Sequence, residues 1–173
     1  MTSASRLTLA ALAALLPALL PGARAGELSG ALVVFPQRLE ARFKDDYGVD
    51  EEGVLRAAIV TAVSRALAPV ALPRPLGAHI TVENVAPTRP TRAQAFANPG
   101  LDDLRSKSLG GAALTAELRD AQGHLVTTVS YRYFAPTLAS GSVAYDPWAD
   151  ARLAIDGFAA RLAAAARALP TSS

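Results

Sequence analysis

The sequence predicts an α+β fold of two layers, a four-stranded mixed or antiparallel sheet with two helices packed on one face. Three observations predict it. Two segments repeat their apolar residues at three- and four-residue steps, four shorter segments alternate apolar with polar residues, and a turn signal joins the last two of these. Each helix carries one apolar stripe and the sheet one apolar side. Burying these against each other leaves the other side of the sheet in water.

The first helix is expected from about Asp50 to Leu67. Asp50 is placed to cap it, Glu51 and Glu52 suit its positive end, and Val54, Leu55, Ile59, Val63 and Leu67 form the stripe. The second is expected from about Pro147 to Ala168, with Asp146-Pro147 as cap and first turn. Its stripe is Trp148, Ala151, Ile155, Phe158 and Leu162. Gly157 inside it costs about 1 kcal/mol against Ala, which close packing would explain.

The alternating segments are expected to be strands. Leu39, Ala41 and Phe43 oppose Arg38, Glu40 and Arg42, and Ala78, Ile80 and Val82 oppose His79, Thr81 and Glu83. Ala112, Leu114, Ala116 and Leu118 oppose Thr115, Glu117 and Arg119. Leu125, Val129, Tyr131 and Tyr133 oppose Thr128, Ser130 and Arg132. Asp120-Ala-Gln-Gly123 has the residues of a type I turn, so the last two strands form a hairpin. Leu118 opposite Leu125 fits the apolar faces best, and a bulge at Gly123 would shift that register. Ala31 to Phe35, ended by Pro36, is a further edge strand or a docked N-terminal arm.

Residues 1–25 read as a secretory signal: Arg6, an apolar run of 14 residues from Leu7 to Leu20, then Ala23-Arg24-Ala25. The run is short of the roughly 20 residues of a spanning helix, so cleavage after Ala25 and a periplasmic or secreted product are expected. Residues 26–173 then make one domain. The 17 basic residues less Arg6 and Arg24 leave 15, against 15 acidic ones. The exported part is formally neutral, and global charge offers no case for nucleic acid. The chain has no cysteine, which excludes disulfides, thiolate zinc sites and a cysteine nucleophile.

The loop from Ala86 to Gly110 is the strongest candidate for function, because loops of this length in compact domains tend to be functional or disordered. Asn98-Pro99-Gly100 suits a type II turn. Arg89, Arg92, Asp102, Asp103, Arg105 and Lys107 are its candidate binding residues, with Arg forks and Gly110-Gly111 as the means of holding an anion or a peptide. The plainer reading is a surface excursion whose Asp-Leu-Arg stretch is one helical turn.

Other chemistry finds little support. The glycine pair precedes a strand rather than a helix, so no nucleotide cradle is expected. His79 and His124 have no metal-binding spacing and no nucleophile elbow to serve. No cofactor and no metal are expected. Tyr131 and Tyr133 read as core residues under the closing helix rather than a stacking platform.

Gly110-Gly-Ala-Ala-Leu114, Asp120-Ala-Gln-Gly123, Trp148-Ala-Asp-Ala151 and Phe158-Ala159 resemble the small uncharacterised exported (periplasmic) α/β proteins of proteobacteria over the C-terminal half. Several of those are envelope lipoproteins, and this chain departs from them in having no anchoring cysteine. The resemblance implies no catalytic residues. The expected role is a non-enzymatic binding or accessory module of the bacterial cell envelope, contacting a protein or a small anionic ligand through the loop and the polar sheet face. The alternative is a small hydrolase using Ser106 or Ser108 with Asp102 or Asp103 and a histidine. A homodimer through the alanine-rich stretch Ala163 to Ala166 is a further option.

Overall fold

The computed structural model describes residues 28–102 and 105–170, with Ser29 as backbone alone. The expected leader and Asp103 lie outside the described residues. The elements are β1 (Leu28–Val34), α1 (Gln37–Arg42), α2 (Val49–Leu67), β2 (Leu76–Ala86), α3 (Arg92–Ala97), β3 (Gly111–Asp120), β4 (Leu125–Phe134) and α4 (Ala149–Arg167). The sheet is mixed and open, in the order β1-β2-β3-β4, with β1 parallel to β2 and the other pairs antiparallel. The two long helices, α2 and α4, cover one face. The fold is the α+β class that the patterning predicts, with the short α1 and α3 in addition.

Period two places the core. Ala78, Ile80 and Val82 of β2 and Ala112, Leu114, Ala116 and Leu118 of β3 are buried under the helices. Val33 of β1 joins them opposite Ile80, and Val129 of β4 opposite Ala116. The other face carries His79, Thr81 and Glu83 beside Thr115, Glu117 and Arg119, where Thr115 and Ser130 hydroxyls meet at 3.0 Å. Leu55, Ile59, Val63 and Leu67 of α2, and Ala151, Ile155, Phe158 and Leu162 of α4, close the core from above. Burying each large apolar side chain contributes about 1.5–3 kcal/mol, so these stripes carry much of the favourable term.

Gly157 has its reason here. A Cβ at this position would stand 2.6 Å from Tyr131 Oη, so α4 lies on β4 at a distance that excludes any side chain. Ala163 and Ala166 are buried in the chain's own core.

Several expectations need correction. The Arg38–Phe43 segment is helical: α1 runs on through a wide π-helical turn, Phe43–Tyr47, closed by Gly48 N–H on Phe43 O at 2.8 Å. Leu39, Phe43 and Tyr47 recur every four residues and are all buried, whereas Ala41, expected to be buried with them, is exposed. Gln, Arg, Leu, Glu and Ala are also good helix formers with no β-branched residue among them. The first strand is instead β1, the segment read as an edge strand or an arm. Arg38, Glu40 and Arg42 therefore leave the open sheet face.

The hairpin turn closes as expected, with Gly123 N–H on Asp120 O at 2.9 Å and φ +84° at Gly123. A bulge pairs Leu118 with Thr127 and Arg119 with Leu125, which leaves Leu125 exposed. At α2 the cap is Gly48, with Val49 the first residue, so Asp50 lies one residue inside the helix. Asn98 to Leu101 forms a turn, but Gly100 keeps a negative φ, so it is not type II.

Candidate functional site

Strand direction gathers the loops. β1 and β2 end, β3 begins and β4 ends at one edge of the sheet, because Ala86 pairs with Gly111 and Gly111 with Phe134. Segments 35–48, 87–110 and 135–148 all leave from this loop end, and α2 and α4 start there. Their contacts are specific. Phe35, Phe43, Tyr47 and Trp148 form an aromatic cluster with ring centroids 5.4 to 6.1 Å apart, and Trp148 Nε1 donates to Glu51 Oε2 at 2.6 Å. The two helix starts are thereby pinned together over the strand ends.

The long loop is anchored rather than adrift. Thr88 is fully buried, its N–H donates to Pro147 O at 2.7 Å, and its carbonyl accepts from Ser108 N at 2.8 Å. Its hydroxyl binds Asp150, a buried carboxylate in the first turn of α4 that also accepts from Ser142 N at 2.7 Å. Both side-chain oxygens of Asp150 thus accept hydrogen bonds at the start of α4. Gly110 lets Thr88 pass this close, since a Cβ there would be 2.3 Å from Thr88 Oγ1. The glycine pair thus serves the chain's own packing, with Gly111 against the β4 backbone. α3 interrupts the loop through a capping box: Gln94 N donates to Thr91 Oγ1 at 3.3 Å and Thr91 N to Gln94 Oε1 at 3.1 Å.

Between this loop and the π-helical turn lies an open cleft of about 330 Å³. Its walls include Pro87, Pro90, Leu101 and Leu109, and its charged lining is Arg42, Asp46 and Lys107. Arg42 donates to the Tyr47 hydroxyl, and Gln94 Nε2 donates to Asp46 Oδ1 at 2.9 Å. Burial pushes the Tyr47 phenol above its ordinary 10.0, with Arg42 pulling it down and Asp46 pushing it up. Lys107 is half-buried and has no hydrogen bond or ion pair among the described residues.

The six candidate binding residues do not converge. Lys107 lines the cleft. Arg92 lines a neighbouring depression with Val49 and Phe96. Arg89 is buried, donating to Ala144 O at 3.0 Å with its guanidinium 4.9 Å from the Tyr145 ring, so it joins two loops instead of facing a ligand. Asp102 and Arg105 meet on the surface, where Asp102 Oδ1 accepts from Arg105 N at 2.9 Å. Asp102 O also accepts from Ser106 N at 2.8 Å, while the helical turn expected over Asp-Leu-Arg falls on residues 103–105, of which 103 and 104 lie outside the described residues.

Arg42, Asp46, Tyr47 and Gln94 were not among the candidates. A strand reading of Arg38–Phe43 hides Arg42, Asp46 and Tyr47, which the four-residue spacing of Leu39, Phe43 and Tyr47 would have found. The signal for Gln94 is the Thr91-x-x-Gln94 capping pattern.

The loop serines have no histidine beside them. Ser108 Oγ donates to Pro87 O, and Ser106 Oγ accepts from Asp102 N at 3.0 Å. His79 pairs with Glu117, roughly 20 Å along β3 from Gly111, and His124 lies beyond the far end of β3, roughly 30 Å away. Among the described residues no three acidic or histidine side chains gather as metal ligands, and no helix is long and apolar enough to cross a membrane.

No family model, curated protein or solved structure matches this chain.

Proposed function

We propose that this chain is a periplasmic or secreted accessory module of the bacterial cell envelope, which binds a partner protein through its loop end and does not catalyse a reaction. One observation carries the reading. Among the described residues the four most exposed large apolar side chains are Phe96, Val143, Tyr145 and Val49, at 91%, 80%, 76% and 68%, and all four belong to the loop end. Exposing that much apolar surface at one end is unfavourable unless something covers it. The anchoring through Thr88, Asp150 and Arg89 supports it too, since a surface held in place loses less entropy on binding.

The leader-like residues 1–25 and the resemblance to exported proteobacterial proteins support the compartment. Fractionation with N-terminal sequencing tests export, with Gly26 as the expected first residue of the periplasmic or secreted form. A photo-crosslinking residue at position 96 or 145 is expected to give a discrete adduct in cells, and one at position 128, on the open sheet face, is not. Adducts from position 128 alone would move the contact surface away from the loops.

A further inference from the structure

We infer that the cleft between the 87–110 loop and the π-helical turn receives a carboxylate borne on an aliphatic group, with Lys107 as its cation. This rests on the loop end being the binding end and adds what the partner must present there.

Charge selects the ligand. Arg42 and Lys107 against Asp46 give the described lining a net charge of one positive unit. A monoanion neutralises that, whereas a phosphate dianion would leave an excess negative charge beside Asp46.

Partnering selects the cation. Arg42 is engaged by Tyr47, and Asp46 by Gln94. The Lys107 ammonium, half-buried and without a partner among the described residues, is the group that gains most from an incoming anion. The walls select the rest of the ligand. Pro87, Pro90, Leu101 and Leu109 offer hydrocarbon, with Leu109 46% exposed at the mouth. A volume of about 330 Å³ sits at the small end of ligand sites, enough for one aliphatic side chain and its carboxylate. A free apolar chain terminus and a small aliphatic acid share this chemistry.

The test is an NMR titration of the purified chain with N-acetyl-Ala-Ala-Leu as free acid, the same peptide as its C-terminal amide, N-acetyl-leucine, and inorganic phosphate. The free acid is expected to shift the amides of Gln94, Ser106, Lys107 and Leu109 saturably, and the amide to bind at least roughly tenfold more weakly. Lys107→Gln is expected to cost about the same factor and Lys107→Arg to restore it.

Tighter binding of the tripeptide than of N-acetyl-leucine identifies a chain terminus, and equal binding identifies a small acid. Equal binding of acid and amide, preference for phosphate, or no shift at these amides overturns the inference, and the acid–amide comparison needs no variant to fold. Loss of the cleft effect with crosslinking at position 96 intact removes this inference alone. Acid binding without crosslinks removes the wider reading instead.

Discussion

Thr88 and Asp150, 62 residues apart, hold each other by two hydrogen bonds: Thr88 Oγ1 donates to Asp150 Oδ2 at 2.9 Å and accepts from Asp150 N at 3.0 Å. Both residues are fully buried, so each bond replaces a contact that water cannot supply. Thr88→Val keeps the shape and removes both bonds. It is expected to destabilise the chain by about 1–3 kcal/mol in urea unfolding, while Thr88→Ser stays close to wild type. A Val variant as stable as wild type would show that the pair does not anchor the loop.

Arg89 and Arg92 lie in the same loop and are expected to separate cleanly. Arg89 is buried between the loops, and its loss as Arg89→Gln removes a charged donor to Ala144 O and the stack on Tyr145. About 2 kcal/mol of stability should go with it. Arg92→Gln, on an exposed first helical residue, should leave the unfolding midpoint within error. Thermal unfolding of the two variants side by side distinguishes an anchoring from a surface arginine.

Gly157→Ala sets helix propensity against packing. The helix gains about 1 kcal/mol, but the new methyl meets Tyr131 Oη at 2.6 Å and its ring at 2.7 and 2.9 Å. Packing is expected to win, with a net loss of about 1–2 kcal/mol, because the half-buried ring must move off α4. In a Tyr131→Ala background the same change is expected to be neutral or stabilising, so a double-mutant cycle reads the clash directly.

Asp120 gives the hairpin turn a pH dependence. Partial burial raises its carboxyl pKa, but N–H donation from His124 and Gln122, with the His124 ring alongside, outweighs this and holds it below the ordinary 3.8. A depressed folded-state value means stability fully present above the unfolded-state pKa, near 3.9, and lost as pH falls through the folded value. NMR titration should place Asp120 below 3.8, and Asp120→Asn should remove that part of the acid-side loss. A midpoint at or above the ordinary value would contradict the turn geometry.

Much of the fold was legible. β2 alternates from Leu76 to Glu83 because one face meets helices and the other meets water. β3 instead buries Gly111 to Leu114 in a row, and the bulge opposite Leu118 turns Leu125 outward. The stripe of α4 runs from Ala151 to Leu162 as its spacing implies, although the helix starts at Ala149 with Trp148 as its cap rather than at Pro147. The candidate site was less legible. Arg38–Phe43 alternates like a strand over six residues, and that pattern competes with a four-residue repeat that becomes visible only when Tyr47 is included. Length decided the contest, since a short segment satisfies both periods. Arg89 and Lys107 look alike in sequence, and burial of one beside Tyr145 separates them.

The amino-acid pattern alone determined which faces are oily, where the hairpin turns and that helices cover one side of the sheet, because these follow from local periodicity and turn chemistry. Tertiary structure decided that β1 completes the sheet, that Gly110 and Gly157 are sites of close approach, and that Lys107 comes to share a cleft with Arg42 and Asp46. Those facts depend on which distant segments meet, and only the packed chain brings residues 42, 46 and 107 to one place.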